Sequence, residues 1–279
     1  MTTAISGGNI SSNGGATITV RGVCWSTNPI PTINDSKTED GAGEGSFVSN
    51  IRGLRANTTY YVRAYATNSK GTGYGSTISF KTKQGFTDTR DGNIYQTVTI
   101  GDQVWMAENL RYLPSVVESD TGSDTIAFYY VYGYEGTNVN AAKATEEYTT
   151  YGVLYNWSAA CISCPQGWHL PSDEEWTQLI DYLGGENVAG GKLKETGTTH
   201  WYSPNIGATN ETGFTALPGG YCRSRFGSFF HIGSNGFWWS STDASYSTVQ
   251  CLIMFHSNSR VERSFSNKSS GLSVRCIKD

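Results

Sequence analysis

The sequence predicts two domains: an all-β antiparallel sandwich over residues 1–82 and an α+β domain over residues 86–279, with residues 83–85 as a linker. Glycine is frequent (33 residues) and charged residues are scarce (16%), which is typical of short strands joined by tight turns. In the first 82 residues, strand-like runs recur about every ten residues without helical periodicity, as in a sandwich. A strong helix signal appears only after residue 170.

The N-terminal unit contains a strand with one buried face. In the run TTYYVRAYA, Tyr61 and Arg63 alternate with Tyr60 and Val62, which is the period of a strand. The stretch GLRANTTYYVRAYATNSKGTGYGS resembles the late strands of fibronectin type III-like domains, with Leu54 and Tyr60 at that family's leucine and corner tyrosine. The resemblance implies an Ig/fibronectin-like sandwich, which most often serves as a spacer.

The second unit begins with turn signals and then becomes irregular. Asp91-Gly92 and Gly101-Asp102 are turn dipeptides between alternating runs, so we expect hairpins there. Residues 115–150 are polar, rich in tyrosine and weakly periodic. We therefore expect a long surface loop with little regular structure in that segment.

The stretch LPSDEEWTQLIDYLGG carries the clearest helix signal. Ser172 is the expected N-cap and Glu175 its capping-box partner, while the first-turn carboxylates suit the positive end of the helix dipole. Capping explains Asp173, Glu174 and Glu175 without any catalytic role. One apolar stripe at helical spacing is formed by Trp176, Leu179, Ile180 and Leu183.

Six motifs of the second unit together resemble the Fibrobacter succinogenes major paralogous domain, a family of surface proteins in Bacteroidetes-type bacteria. They are WMAENLRY, YGVLYNWSAA, CPQGWHLPSDEEW, GFTALPGGY, GFWWSST and GLSVRCIKD. GWHLPSDEEW and GLSVRC are also similar to the formylglycine-generating-enzyme branch of the C-type lectin fold. The resemblance implies a C-type lectin-like domain whose N- and C-terminal strands pair.

Several functions are excluded on composition and motifs. The net charge of −4 gives no positive field for nucleic acid, and no run of 18 apolar residues predicts a membrane span. The four histidines are dispersed, so we predict no metal site and no cofactor. Calcium-dependent lectins use Glu-Pro-Asn or Gln-Pro-Asp with Trp-Asn-Asp, and these tripeptides do not occur. We predict no catalytic residue and no enzyme activity.

The six cysteines do not form a metal or redox motif. Cys161 and Cys164 make one CxxC without a second pair. We expect a disulfide between Cys164 and Cys276, since both flank predicted core strands. Formylglycine-generating enzymes need a closely spaced cysteine pair, and Cys222 has no such neighbour, so that enzyme class is a minor alternative.

The sequence CLIMFH in the tail does not by itself show which face of the predicted strand is buried. Cys251 and Ile253 alternate with Leu252 and Met254, so both faces of the predicted strand carry apolar side chains. We expect Leu252, Met254 and His256 to face outwards as a contact surface, since clustered exposed apolar side chains mark interfaces. Alternatively a loop, for example 115–150, covers this face and makes Leu252 and Met254 core.

The tail also resembles the variable proteins of diversity-generating retroelements, which share the C-type lectin-like fold and whose C-terminal asparagine codons are rewritten at adenines. The resemblance implies a hypervariable segment at residues 243–270. Residues reachable from an asparagine codon in this way are Tyr246, Thr248, Leu252, His256, Ser259, Arg260, Ser264, Phe265, Ser266, Ser269 and Ser270. Met254 and Glu262 are not reachable from an asparagine codon, so they require another template codon or count against the interpretation.

We therefore predict a non-enzymatic, extracellular ligand-binding protein on a bacterial surface or phage particle, with an unknown protein or glycan as partner. The predicted binding residues are Trp238, Trp239, Tyr246, Thr248, Leu252, Met254, His256, Ser259, Arg260, Glu262, Ser264, Phe265 and Ser266. An alternative is a glycan-adhesion module in which exposed aromatics stack on sugar rings. Its candidate residues are Tyr221, Trp201, Trp238 and Trp239.

Overall fold

A computed structural model describes residues 2–55, 57–82, 84–224 and 226–279. The chain divides into two compact units, Met1–Thr87 and Asp88–Asp279. The division lies two residues beyond the predicted linker at residues 83–85. Both units are rich in β-strand, as the glycine-rich composition indicates.

Two sheets form the first unit and enclose its core. Its strands are β1 (Thr2–Ile10), β2 (Val20–Ser26), β3 (Ser36–Lys37), β4 (Gly45–Leu54), β5 (Thr59–Asn68), β6 (Gly71–Tyr74), β7 (Ile78–Lys81) and β8 (Gly85–Thr87). β1 pairs with β4, and a second sheet has the order β3-β2-β5-β6 with β7 beside β5. Buried side chains from both sheets pack together, which is the construction of a sandwich. They are Val23, Phe47, Ile51, Leu54, Tyr60 and Val62.

The corner tyrosine of the first unit has the role that its position predicts. Tyr60 is buried on β5, and its hydroxyl accepts a hydrogen bond of 3.1 Å from the backbone N–H of Arg55. Leu54 is buried in the same core. The Tyr60 hydrogen bond and the buried Leu54 therefore tie the start of β5 to the end of β4.

The second unit contains short strands and short helices. The strands are β9 (Ile94–Ile100), β10 (Gln103–Met106), β11 (Tyr129–Tyr130), β12 (Leu154–Tyr155), β13 (Trp168–His169), β14 (Gly219–Arg223), β15 (Ser228–Ile232), β16 (Asn235–Asp243), β17 (Thr248–Phe255), β18 (Val261–Asn267), β19 (Leu272–Ser273) and β20 (Ile277–Lys278). The helices are α1 (Val139–Lys143), α2 (Glu146–Tyr151), α3 (Trp157–Ser163), α4 (Asp173–Tyr182) and α5 (Glu186–Leu193). The expectation of little regular structure at 115–150 is partly wrong, since β11, α1 and most of α2 lie there.

Two sheets organise this unit. β20 pairs with β10 and with β13, so strands from the two ends of the unit lie side by side. The larger sheet runs β11-β12-β19-β16-β14-β15, with β17 beside β16 and β18 beside β17. Helices α4 and α5 contribute to the hydrophobic core that covers one face of β16–β18.

Helix α4 begins as predicted. The Ser172 hydroxyl accepts from the Glu175 N–H, and the Glu175 carboxylate accepts from the Ser172 N–H at 2.8 Å, which completes the capping box. The predicted stripe on this helix, from Trp176 to Leu183, is buried in the core. The capping interpretation of these carboxylates is therefore confirmed for Glu175.

Candidate ligand-binding site

The side chains of β17 that were predicted to face outwards point into the core instead. Leu252 is 1% exposed and Met254 is fully buried, and both belong to the core cluster that contains Trp176 and Leu193. The open apolar surface predicted from these two side chains is therefore wrong. Helices α4 and α5, rather than the 115–150 segment, supply the residues that cover them.

The tryptophans proposed as contact residues are also internal. Trp238, Trp239 and Trp201 are each at most 1% exposed. The Trp238 indole N–H donates to Asn109 Oδ1 at 2.9 Å, and the Trp239 indole N–H donates to the Tyr155 carbonyl at 2.6 Å. Buried indoles with satisfied N–H groups are structural, so these three residues are corrected to core.

Several other predicted contact residues are dispersed around the tail. Tyr246 is 97% exposed in the turn before β17, where Thr248 hydrogen-bonds Ser245. The His256 ring contacts Tyr202 edge-on, with ring centroids 6.2 Å apart. Ser259 donates to the Asn187 carbonyl at 2.9 Å, which is a loop-fixing bond, while Arg260 is exposed in the turn before β18.

A cleft opens on the opposite face of the same strands. It has a volume of about 300 Å³. Its walls come from β14 and β18 and its floor from β16, β17 and the segment before β19. The lining residues are Tyr221, Arg223, His231, Phe237, Cys251, Ile253, Ser264, Phe265, Ser266, Asn267, Ser270 and Leu272.

Strand pairing explains which side chains reach the cleft. Cys251 is opposite Ser264 and Val249 is opposite Ser266 in the β17–β18 ladder, so Ser264 and Ser266 share the face of Cys251. Leu252 is opposite Arg263, on the helix-covered face. The Arg263 guanidinium binds Asp173 of α4 and Glu186 of α5. The predicted residues Ser264 and Ser266 are thus brought together at one site. Phe265 is opposite Gln250, so its side chain lies on the other face of β18, with that of Arg263.

Aromatic rings build one side of the cleft. Tyr221 lies 5.0 Å from Phe237, 5.7 Å from Phe230 and 5.9 Å from His231, measured between ring centroids. Phe230 and His231 are neighbours in sequence, yet both rings contact Tyr221. His231 has a positive φ of 66°, an uncommon conformation that lets it leave the normal alternation of a strand.

Gly220 makes this irregularity possible. Its φ is +63°, and a Cβ there would meet backbone atoms of Phe230 and Ile232. Tyr221 is paired with Phe230 and Gly219 with Ile232, so Gly220 and His231 lie opposite each other in an unbroken register, both at positive φ. This left-handed backbone accompanies the contact of the His231 ring with Tyr221, which is also contacted by Phe230 and Phe237.

The family of the second unit is decided by comparison with known domains. The family model of the Fibrobacter succinogenes major domain matches residues 98–278. The chain belongs to this family. Searches of curated proteins and of solved structures found no match. The resemblance predicted from the six motifs is therefore confirmed, and the cleft lies within the matched residues.

The cysteines of the Fibrobacter succinogenes major domain are structural in character. A disulfide joins Cys164 to Cys276, the pair expected from the sequence. Cys222 and Cys251 are buried free thiols, and burial raises the pKa of each to about 12. Both thiols are therefore protonated at neutral pH and are weak nucleophiles.

Charged groups buried in the major domain stabilise its framework. Lys194 is fully buried, and its ammonium donates to the carbonyls of Ile206, Phe255 and Asn258 at 3.0, 2.8 and 2.8 Å. These bonds fix the turn between β17 and β18. Among the residues that the structure describes, no group of three or more His, Cys, Asp or Glu is arranged to hold a metal ion.

No described helix of the chain combines the length and apolar character that a membrane crossing requires.

Most residues of the cleft were not predicted from the sequence. The face of β17 expected to be open was that of Leu252 and Met254, and Phe237, Arg223 and His231 were not among the predicted contact residues. The available signal was the strand GFWWSS, in which Phe237 and Trp238 must face opposite sides. Tyr221 was identified only in the glycan alternative.

Proposed function

We propose that this chain is a non-enzymatic ligand-binding protein, and that the cleft between β14 and β18 is its binding site. The observation that carries the proposal is the set formed by the half-buried rings of Tyr221 and Phe237 and the exposed ring of His231, beside the hydroxyls of Ser264 and Ser266. Concave apolar surfaces with a few convergent polar groups are the usual form of a small-ligand site.

A rigid base supports this role. The face opposite the cleft is packed against buried tryptophans and helices, so the backbone of β16–β18 is held before any ligand arrives. A binding surface that is ordered in advance loses less conformational entropy on association. Cleft side chains can also change without disturbing the core.

The proposal also covers the architecture of the second unit and the location of the protein. We infer a C-type lectin-like architecture for residues 86–279, supported by the pairing of Trp105 on β10 with Ile277 on β20. The Cys164–Cys276 disulfide favours an oxidising, extracellular location, on a bacterial surface or a phage particle. The first unit then serves as a spacer.

Hypervariability through a diversity-generating retroelement remains part of the proposal in a narrower form. Leu252 and Ser269 are buried, whereas Ser264 and Ser266 line the cleft and Phe265 is exposed. Only the accessible positions suit repeated replacement. Sequencing of the neighbouring DNA tests this: a near-identical copy of the tail-coding region beside a reverse transcriptase gene is expected, and its absence contradicts the inference.

The binding role is tested by blocking the cleft. Ligand-observed NMR against a library of sugars, amino acids and short peptides is run on the wild type and on Ser264→Trp, whose side chain fills the cleft. Ser257→Trp, at an exposed turn position, is the matched control. We expect hits that are lost only in Ser264→Trp. Hits that bind all three proteins equally, or an absence of hits, would reject the cleft as the site.

A further inference from the structure

The cleft carries a positive charge at one end. Arg223 lines it, with its guanidinium stacked 4.3 Å from the centroid of the Phe226 ring. Among the described residues, none makes a hydrogen bond or ion pair with this guanidinium, and none of the described lining residues is acidic. An Arg fork without an internal partner suits a carboxylate, which accepts two parallel hydrogen bonds from it.

On the face of the cleft itself, the described carboxylate lies far from Arg223, whereas Asp124 lines a neighbouring hollow. Glu262 is opposite Ile253 in the ladder, on the face of the cleft, and is half-buried. Arg223 shares the neighbouring hollow with Asp124, Asn267 and Ser270 and so lies at the Asn267 end of β18. Five residues separate Asn267 from Glu262, which is roughly 16 Å along a strand. The two ends of the cleft therefore differ in charge, with Arg223 at one end and Glu262 towards the other. A bound anion is favoured at the Arg223 end.

The floor and the far wall differ in chemistry. Phe237, Ile253 and Leu272 make an apolar floor, whereas Ser264 and Ser266 present hydroxyls from alternate positions of β18. A ligand that fits must offer one flat apolar face and several hydroxyl groups. The volume of about 300 Å³ is at the small end of ligand sites, which suits one ring rather than an extended chain.

We propose that the cleft binds a single acidic sugar unit of a glycan, a pyranose that bears a carboxylate. The apolar face of the ring lies on Phe237 and Ile253, its hydroxyls reach Ser264 and Ser266, and its carboxylate binds Arg223. This inference rests on the proposed function, because it names the ligand of the same site. A peptide carboxylate would use Arg223 but would leave the serine wall without partners.

The test measures affinity by isothermal titration calorimetry for paired probes. Methyl glucuronide, methyl galacturonide and N-acetylneuraminic acid are compared with methyl glucoside and methyl galactoside, and N-acetylphenylalanine serves as a carboxylate without sugar hydroxyls. In the wild type we expect at least one acidic sugar to bind about tenfold or more tighter than the neutral sugars. Arg223→Gln should abolish that preference, while Arg260→Gln, at an exposed position outside the cleft, should retain it.

Other outcomes separate this inference from the binding role itself. Equal affinity for acidic and neutral sugars, lost in Ser264→Trp, overturns the acidic-sugar inference and leaves the binding role intact. Tighter binding of N-acetylphenylalanine, unaffected by the double change Ser264→Ala and Ser266→Ala, overturns it in favour of a peptide carboxylate. If no sugar binds at millimolar concentration while the NMR library gives cleft-dependent hits, the inference is also rejected.

Discussion

Leu252 on β17 is paired directly with Trp238 on β16, and both side chains are buried beneath the helices of the second unit. The pair fixes which face of the tail is core. The remaining face, which carries Phe237 and Ile253, is left to form the cleft.

Leu252→Ala should strongly destabilise the protein. Removing a fully buried leucine side chain from a packed core costs about 2–5 kcal/mol. Phe265→Ala is the matched control on the next strand, since Phe265 is 64% exposed, and we expect a change within about 0.5 kcal/mol there. Urea denaturation of the three proteins checks the difference. Similar stabilities for both variants would contradict the assigned faces.

Arg275→Met should also be destabilising. The buried guanidinium donates to Asn109 Oδ1 at 2.9 Å and to the carbonyls of Met106 and Phe214. Each buried acceptor that is left without a donor costs about 1–3 kcal/mol. We therefore expect the free energy of unfolding to fall by at least about 3 kcal/mol. Arg275→Lys keeps the charge but cannot reach all three acceptors, and should lie between wild type and Arg275→Met in thermal denaturation.

We expect Lys194 to make the free energy of unfolding increase at alkaline pH. Burial lowers the pKa of Lys194 from 10.5 to about 8, so between these values the unfolded chain holds a proton that the folded chain has released. The free energy of unfolding therefore gains a contribution that increases as pH rises through this window. Lys194→Met removes it, although the variant is less stable at pH 7 because three carbonyls lose their donor.

The measurement is chemical denaturation of both proteins from pH 7 to 9.5. Subtracting the Lys194→Met curve removes the contributions of thiols and tyrosines that titrate in the same range. We expect the wild-type advantage to grow with pH. A constant or shrinking difference would show that Lys194 titrates normally.

We expect His169 to make the opposite contribution, so that its stabilisation of the fold decreases as pH rises near neutrality. Burial lowers the pKa of His169, but its hydrogen bonds to Asp279 and Glu175, each 2.7 Å, outweigh that effect and raise the pKa above 6.5. The resulting stabilisation is complete below pH 6.5 and is lost as pH rises through the folded-state pKa. Because His169 is well exposed, the effect should not exceed about 1 kcal/mol.

His169→Asn tests this by comparison with the wild type at pH 5.5 and pH 8.5. The gap in the free energy of unfolding between the two proteins should narrow at the higher pH. NMR titration of the His169 ring gives a second readout, and a midpoint at or below 6.5 would refute the interaction.

Local chemistry made parts of the structure predictable from sequence. The capping box of α4 and the Tyr60 corner depend on residues a few positions apart, and both form as expected. The family resemblance rested on six motifs and is confirmed. The faces of β17 were not predictable in this way, since Leu252 and Ile253 are equally apolar and only distant helices decide which one is covered.

The site was harder to predict than the fold. Its aromatic side depends on the positive φ of Gly220 and His231, and a non-glycine residue in that conformation leaves no trace in hydrophobic periodicity. Arg223 on β14 and Ser264 on β18 line one cleft only because β16 and β17 pair between these two strands.

The difference in burial between β17 and β18 sets how this surface can evolve. Saturation mutagenesis of residues 248–267 should show tolerance at Ser264, Phe265 and Ser266 of β18 and intolerance at the buried positions Val249, Cys251, Leu252, Met254 and Val261. A lineage that adapts to a new host molecule therefore draws its new specificities from β18 far more than from β17.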